Sequence, residues 1–379
     1  MGGPLSEIVP FTDLAAATGE VKAAVVEAWR RLLDAGAFVG GEAVDRFEKA
    51  WADYCGTSHA VGVANGTDAI RLTLTALGIG AGDEVIVPAN TFIASAAAVV
   101  HAGATPRFAD VDPATLLLNP QTLQAAVTKA TRAVLIVHLY GQIPDMDALA
   151  ATADEAGLVI IEDAAQAHGA TWRGRPAGSL GRAGCFSFYP AKNLGAFGDA
   201  GAVVTSDAEL AERIRCLSDH GRVPGSHHRH ELIGTNSRLD ALQAAVLTAK
   251  LAKLDDWTQA RRAIAARYRA AFTGSPVRLI DELPPAHGAY HLAVARVHHR
   301  ETLRDRLAAM GIHTGIHYPV PCHQQPPYRR YAAAHLPAAE QAAREIVSLP
   351  IFPHMTDGQT TRVCNAVHRA CGASQPRVA

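Results

Sequence analysis

Leu158-Val159-Ile160-Ile161-Glu162-Asp163-Ala164-Ala165-Gln166 decides the fold class of this chain. Four apolar residues in a row predict a strand buried on both faces, as in a parallel sheet covered by helices on each side. Val134-Leu135-Ile136-Val137 has the same character. Acidic and polar residues follow at the carboxyl end, where open α/β sheets bind their ligands, so Glu162, Asp163 and Gln166 draw attention at once. A turn or helix cap would account for Asp163 alone, but not for the set. Outward from this centre, short β-branched runs at His59–Val63, Glu84–Val87, Thr105–Phe108, Ala133–Val137, Leu158–Ile161 and Gly201–Thr205 read as strands between helical segments. That alternation predicts βαβ units and an α/β class.

Two amphipathic helices open the chain, one carrying Val21, Val25, Ala28 and Leu32, the next Val44, Phe47, Trp51 and Tyr54, with Gly40-Gly41 between them. Asp207 is the expected N-cap of a helix running to about Leu217. His220 to Thr235, rich in Gly, His and Arg, reads as a loop, and helices are expected over 240–254 and 257–272. Beyond a Pro-rich stretch at Pro284-Pro285 come a strand (290–297), a helix (303–310) and a last helix after Phe352-Pro353. The expected division is a large α/β domain, 1–255, and a smaller α+β domain, 256–379.

Hydrophobic residues make up 49% of the 379, enough for a sizeable core. Lys plus Arg (35) almost balances Asp plus Glu (36), so no basic field favours nucleic acid or an anionic membrane, and a small-molecule partner is expected. The six cysteines are scattered without zinc-type spacing, which predicts reduced thiols in a cytoplasmic protein. No apolar run approaches a membrane span and no leader is evident. Met1–Ser6 fits a loose myristoylation pattern but lacks a polybasic second signal. His227, His228 and His230 form a local cluster that reads as a solvated loop rather than a metal site.

Chemistry enters with Ser187-Phe188-Tyr189-Pro190-Ala191-Lys192, about twenty-five residues after Asp163. Lys192 offers an amine for a Schiff base, and its apolar and aromatic neighbours set it apart from a solvated surface lysine. Asp163 offers a carboxylate to keep a pyridine nitrogen protonated. Gln166, expected one helical turn on, offers a donor to a ring oxygen, and Ser187 a hydroxyl to a phosphate. These are the groups that hold pyridoxal phosphate. Asn65-Gly66-Thr67-Asp68, between a strand and a helix, would present Gly66 and Thr67 to an anion at a helix N-terminus; alone it reads as an ordinary turn and cap. Phe92 is placed to stack on a flat ring; alone it reads as core.

Asn65–Ala69, Asp163–Gly169, Ser187–Asn193 and Gly234–Asp240 together resemble the DegT/DnrJ/EryC1/StrS nucleotide-sugar aminotransferases, in order and spacing, over about residues 10 to 370. The resemblance implies the aspartate aminotransferase-like type I fold, a large domain with a mostly parallel seven-stranded sheet plus a small C-terminal domain. It also implies a homodimer with shared active sites, in which Asn236 reaches the cofactor phosphate of the other subunit. By the same carry-over Tyr189, His317 and Tyr318 line a sugar pocket, though His317 also reads as a hydrogen-bonded structural histidine. Arg238, Arg222 and His220 are candidate anchors for a diphosphate. The implied reaction passes an amino group from L-glutamate to a keto sugar nucleotide, with the cofactor as pyridoxamine phosphate between the halves. The Asn-Gly-Thr-Asp-Ala form and His138-Leu139-Tyr140-Gly141-Gln142 look more like enzymes that aminate C3 of a dTDP-3-keto-6-deoxyhexose for a natural product. Alternatives are a 4-keto sugar nucleotide or keto-cyclitol aminotransferase, a sugar dehydratase, against which Lys192 argues, and a non-catalytic cofactor-binding module.

Overall fold

A computed structural model describes residues 8–372 apart from 224, 227, 333 and 334, so Met1–Ser6 and His227 lie outside the described residues. Seven strands form the main sheet, in the spatial order His59–Val63, Gly201–Thr205, Ala183–Ser187, Val159–Asp163, Thr131–Val137, Glu84–Pro88 and Thr105–Ala109. Gly201–Thr205 runs antiparallel to both neighbours and every other pairing is parallel, as expected of the type I fold. Chain order reverses around Glu84–Pro88, which pairs with the strand after it on one side and with Thr131–Val137 on the other. Crevices at such reversals lie at the carboxyl ends of the strands.

Six strands lie where β-branched composition predicts them, within one or two residues. Ala183–Ser187 was not predicted as one: Ala-Gly-Cys-Phe-Ser has no β-branched residue. Its glycine is explained by crowding, since a Cβ on Gly184 would stand 2.2 Å from the Gly178 Cα. Behind it Trp51, Phe186 and Phe188 are buried edge to face, with Trp51 to Phe186 centroids 4.9 Å apart. Each such ring contributes about 1.5–3 kcal/mol by burial.

The two opening helices are Leu14–Ala35 and Glu42–Cys55. Asp207 caps Ala208–Ser218, accepting from the Glu209 and Leu210 N–H groups. The predicted helices 240–254 and 257–272 are Ala241–Leu251 and Leu254–Ala271. The C-terminal unit is a three-stranded sheet, Arg278–Leu279, Ala293–Arg296 and Ile346–Leu349, packed on Arg300–Ala309 and Asp357–Gly372. The expected division at residue 255 falls inside Leu254–Ala271. Val9 is fully buried in the core of the C-terminal unit, bridged to Ile312.

Glu162 and Asp163 separate at the end of the central strand. Glu162, fully buried, accepts from the N–H groups of Gly178 (2.7 Å), Leu180 (2.6 Å) and Gly181 (2.7 Å), and contacts His138 Nε2 at 2.8 Å. It is a structural anchor, not a site residue. Glu162→Ala leaves one buried and two half-buried N–H donors and a buried imidazole without their acceptor and is expected to destabilise the protein by about 3 kcal/mol in urea denaturation.

Candidate active site

The carboxyl ends of the strands meet in a cavity of about 310 Å³, within the usual range for small-molecule sites. Gly66, Thr67, Phe92, Asp163, Gln166, Ser187, Tyr189, Lys192 and Tyr318 all line it, drawn from sequence positions 66 to 318. Among the described residues that line it, Lys192 is the only cation and Asp163 and Asp199 the only anions.

Lys192 follows a tight turn. Its N–H donates to Tyr189 O at 2.8 Å, and a Cβ on Gly195 would lie 2.3 Å from Pro190 O. The loop is pinned by Asn193 Nδ2 donating to Ala289 O (2.9 Å) and Lys250 Nζ to Gly195 O (2.7 Å). Burial pushes the Lys192 amine down to about 8, against the opposing pull of Asp163. Around it, burial and the lysine charge push His168 down to about 3 and His317 to about 4, and hold His291 well below its ordinary value. The amine therefore stands among neutral imidazoles.

Asp163 is buried, with Oδ1 accepting from Ala165 N (3.2 Å) and Oδ2 from Ser95 Oγ (2.7 Å). Ser95 was invisible to sequence reasoning, lying 68 residues from its partner. Gln166 sits in a run of turns rather than on the helix expected for it; Ala167 N and Ala170 N reach back three residues to Ala164 O and Ala167 O. Its amide still faces the cavity. Gln166 Oε1 accepts from Tyr140 N (2.6 Å) and Nε2 donates to Tyr318 OH (3.2 Å), while Tyr140 OH donates to His317 O (2.8 Å). Tyr140 makes these bonds from a left-handed conformation, φ 64°, a strained setting common beside functional sites.

Asn65 Oδ1 caps the helix Gly66–Ala76 by accepting from Asp68 N at 2.9 Å. The N–H groups of Gly66 and Thr67 precede the first intrahelical bond, from Ala69 to Asn65 O, and are available to an anion. A Cβ on Gly66 would stand 2.7 Å from Ser187 Cβ, so glycine is what lets this turn meet the serine. Phe92 is half exposed, its ring 5.4 Å from that of Tyr318. Cradle, carboxylate, amine and aromatic wall fit pyridoxal phosphate.

Five expected site residues do not line this cavity. His317 stacks on Phe11 at 5.6 Å and bonds Ser348 Oγ through Nδ1 at 2.8 Å. Asn236 forms a bridge with Asp219. Arg238 pairs with Asp219 at 2.7 Å, and Arg222 pairs with the same carboxylate. His220 N donates to Thr235 O.

The sequence model of the DegT/DnrJ/EryC1/StrS aminotransferase family matches residues 20–368. A dTDP-3-amino-3,4,6-trideoxy-alpha-D-glucose transaminase of Streptomyces venezuelae is 49% identical over 95% of both chains. The structure of S. venezuelae DesV in complex with a ketimine intermediate superposes with a TM-score of 0.94 at 48% identity, covering 97% of this chain and all of that one. Bacillus subtilis NtdA with bound pyridoxamine phosphate gives 0.90 at 30% identity, over 98% of this chain and 86% of that one.

Proposed function

The chain belongs to the DegT/DnrJ/EryC1/StrS aminotransferase family, and from that premise we propose that it aminates C3 of a keto sugar nucleotide, a dTDP-3-keto-6-deoxyhexose, with L-glutamate as donor, on the way to a natural-product amino sugar. The observation that carries transamination is the pairing of a buried lysine, its amine pushed down to about 8, with a buried carboxylate over an anion cradle in one cavity. The choice of C3 rests on the 49% identical relative, itself a 3-amino sugar transaminase.

When bound here, pyridoxal phosphate would supply a carbonyl for the amino group and an electron sink for the carbon that exchanges its proton. The protein does the rest. Gly66, Thr67 and Ser187 would hold the phosphate through N–H and hydroxyl donors. Asp163 would hold the ring nitrogen, Phe92 would wall the ring, and Gln166 would offer its second amide hydrogen to the ring oxygen. Lys192 would carry the proton at its Nζ in both halves of the reaction.

The sugar diphosphate needs cations beyond Lys192, the one cation among the described residues lining this cavity. Asn236, Arg238, Arg222 and His220 gather instead near Asp219, where two guanidiniums and one carboxylate leave net positive charge. We assign them to the second site of a homodimer, with Asn236 on the cofactor phosphate and the basic groups near the nucleotide. Tyr189 and Tyr318 flank the sugar, with His317 behind Tyr318.

A substrate panel tests the proposal. With L-glutamate and pyridoxal phosphate, the 3-keto sugar nucleotide is expected to yield amino sugar and 2-oxoglutarate in equal amounts, about 100-fold faster than its 4-keto isomer, because a misplaced carbonyl costs the bonds that orient it. The reverse preference would move the assignment to C4, and no product from either would end it.

A further inference from the structure

We infer that Ser95, with Thr91 behind it, is a positioning residue that fixes the Asp163 carboxylate for its part in the reaction. Ser95 lies on the helix Ile93–His101 and is fully buried. Several buried or half-buried threonines on other helices turn their hydroxyls back to the carbonyl four residues earlier, as Thr73, Thr152 and Thr248 do. Ser95 does not. Its Oγ reaches across to the central strand, 2.7 Å from Asp163 Oδ2, and stands 2.9 Å from Thr91 Oγ1.

Donor counting sets the direction of the chain. An ionised carboxylate only accepts, and a serine hydroxyl has one hydrogen, so Ser95 gives its proton to Asp163 and accepts that of Thr91. Thr91 is itself buried and reaches the cavity wall, while its carbonyl accepts from Cys322 Sγ at 3.2 Å. With Ala165 N–H on Oδ1, each carboxylate oxygen is held by one donor, which stops rotation of the group and leaves lone pairs for what enters the cavity.

This rests on the reading of Asp163 as the partner of the ring nitrogen, and the test separates the two. Apo-protein is titrated, by quenching of its tryptophan fluorescence, with pyridoxal phosphate and with the analogue whose ring nitrogen is replaced by carbon. Wild-type protein is expected to prefer the natural cofactor. In Ser95→Ala that preference should shrink about tenfold, the size of one hydrogen bond to a charged group, and Ser95→Thr should restore it. Thr91→Val, which removes only the second hydroxyl, should shrink it less. In turnover, Ser95→Ala should lower kcat about tenfold with KM for both substrates within about twofold. Equal weakening of both ligands, or an undiminished preference in both variants, would overturn the role of Ser95. Absence of any preference in the wild-type protein would instead remove Asp163 from the ring nitrogen.

Discussion

Lys192→Ala is expected to abolish amino transfer, by at least about 10⁴-fold, in a protein that still folds. The size of the loss follows from the two duties proposed for one amine, holding the cofactor and moving the proton. The fold survives because the side chain is a cost in the native state: burial pushes its amine down to about 8 from an ordinary 10.5. Turnover with glutamate and keto sugar, set beside thermal unfolding, checks both halves. The same shift fixes a pH dependence. Only the neutral amine adds to a carbonyl, so capture of pyridoxal phosphate by apo-protein should quicken as pH rises and level off above about 8. The unfolded chain holds the extra proton between about 8 and 10.5, so the apo-protein should also gain stability with rising pH across that window, and Lys192→Met should lose this gain.

Asp163→Asn is the second large effect, about 10³-fold on kcat with the fold retained. The substitution keeps shape but removes the charge proposed to stabilise a protonated ring nitrogen, and with it the electron sink on which proton removal depends. A stopped-flow half-reaction with L-glutamate isolates that step. Asp163 also raises the Lys192 amine, so the neutral variant should shift the pH curve for cofactor capture further to the acid side. A curve that stayed in place would mean the two groups are not coupled.

Much of this was legible in the sequence because it is local. Val159–Asp163 and Thr131–Val137 announce themselves by apolar runs, and the family motifs place Lys192, Asp163, Gly66 and Ser187 around one cavity as expected. What escaped is set by tertiary crowding or distance. Ala183–Ser187 is a strand without strand composition because Gly178 lies against it. Ile346–Leu349 starts where the helix Pro337–Glu345 stops, so no turn separates the two patterns. Gln166 keeps its place without its helix because Tyr140 and Tyr318, remote in sequence, hold both ends of its amide. Glu162 reads as a site residue until the pleat is seen to turn it away from Asp163.

That pleat divides labour between neighbouring codons. Glu162 faces a loop it holds shut, and Asp163 faces the cavity. In the homodimer proposed above, damaging changes one residue apart would therefore produce opposite phenotypes: at 163 an abundant, inert protein able to poison mixed assemblies, at 162 a protein lost to degradation before it meets a partner. Genetic dominance, read at these two positions, would report which side of the sheet a side chain faces.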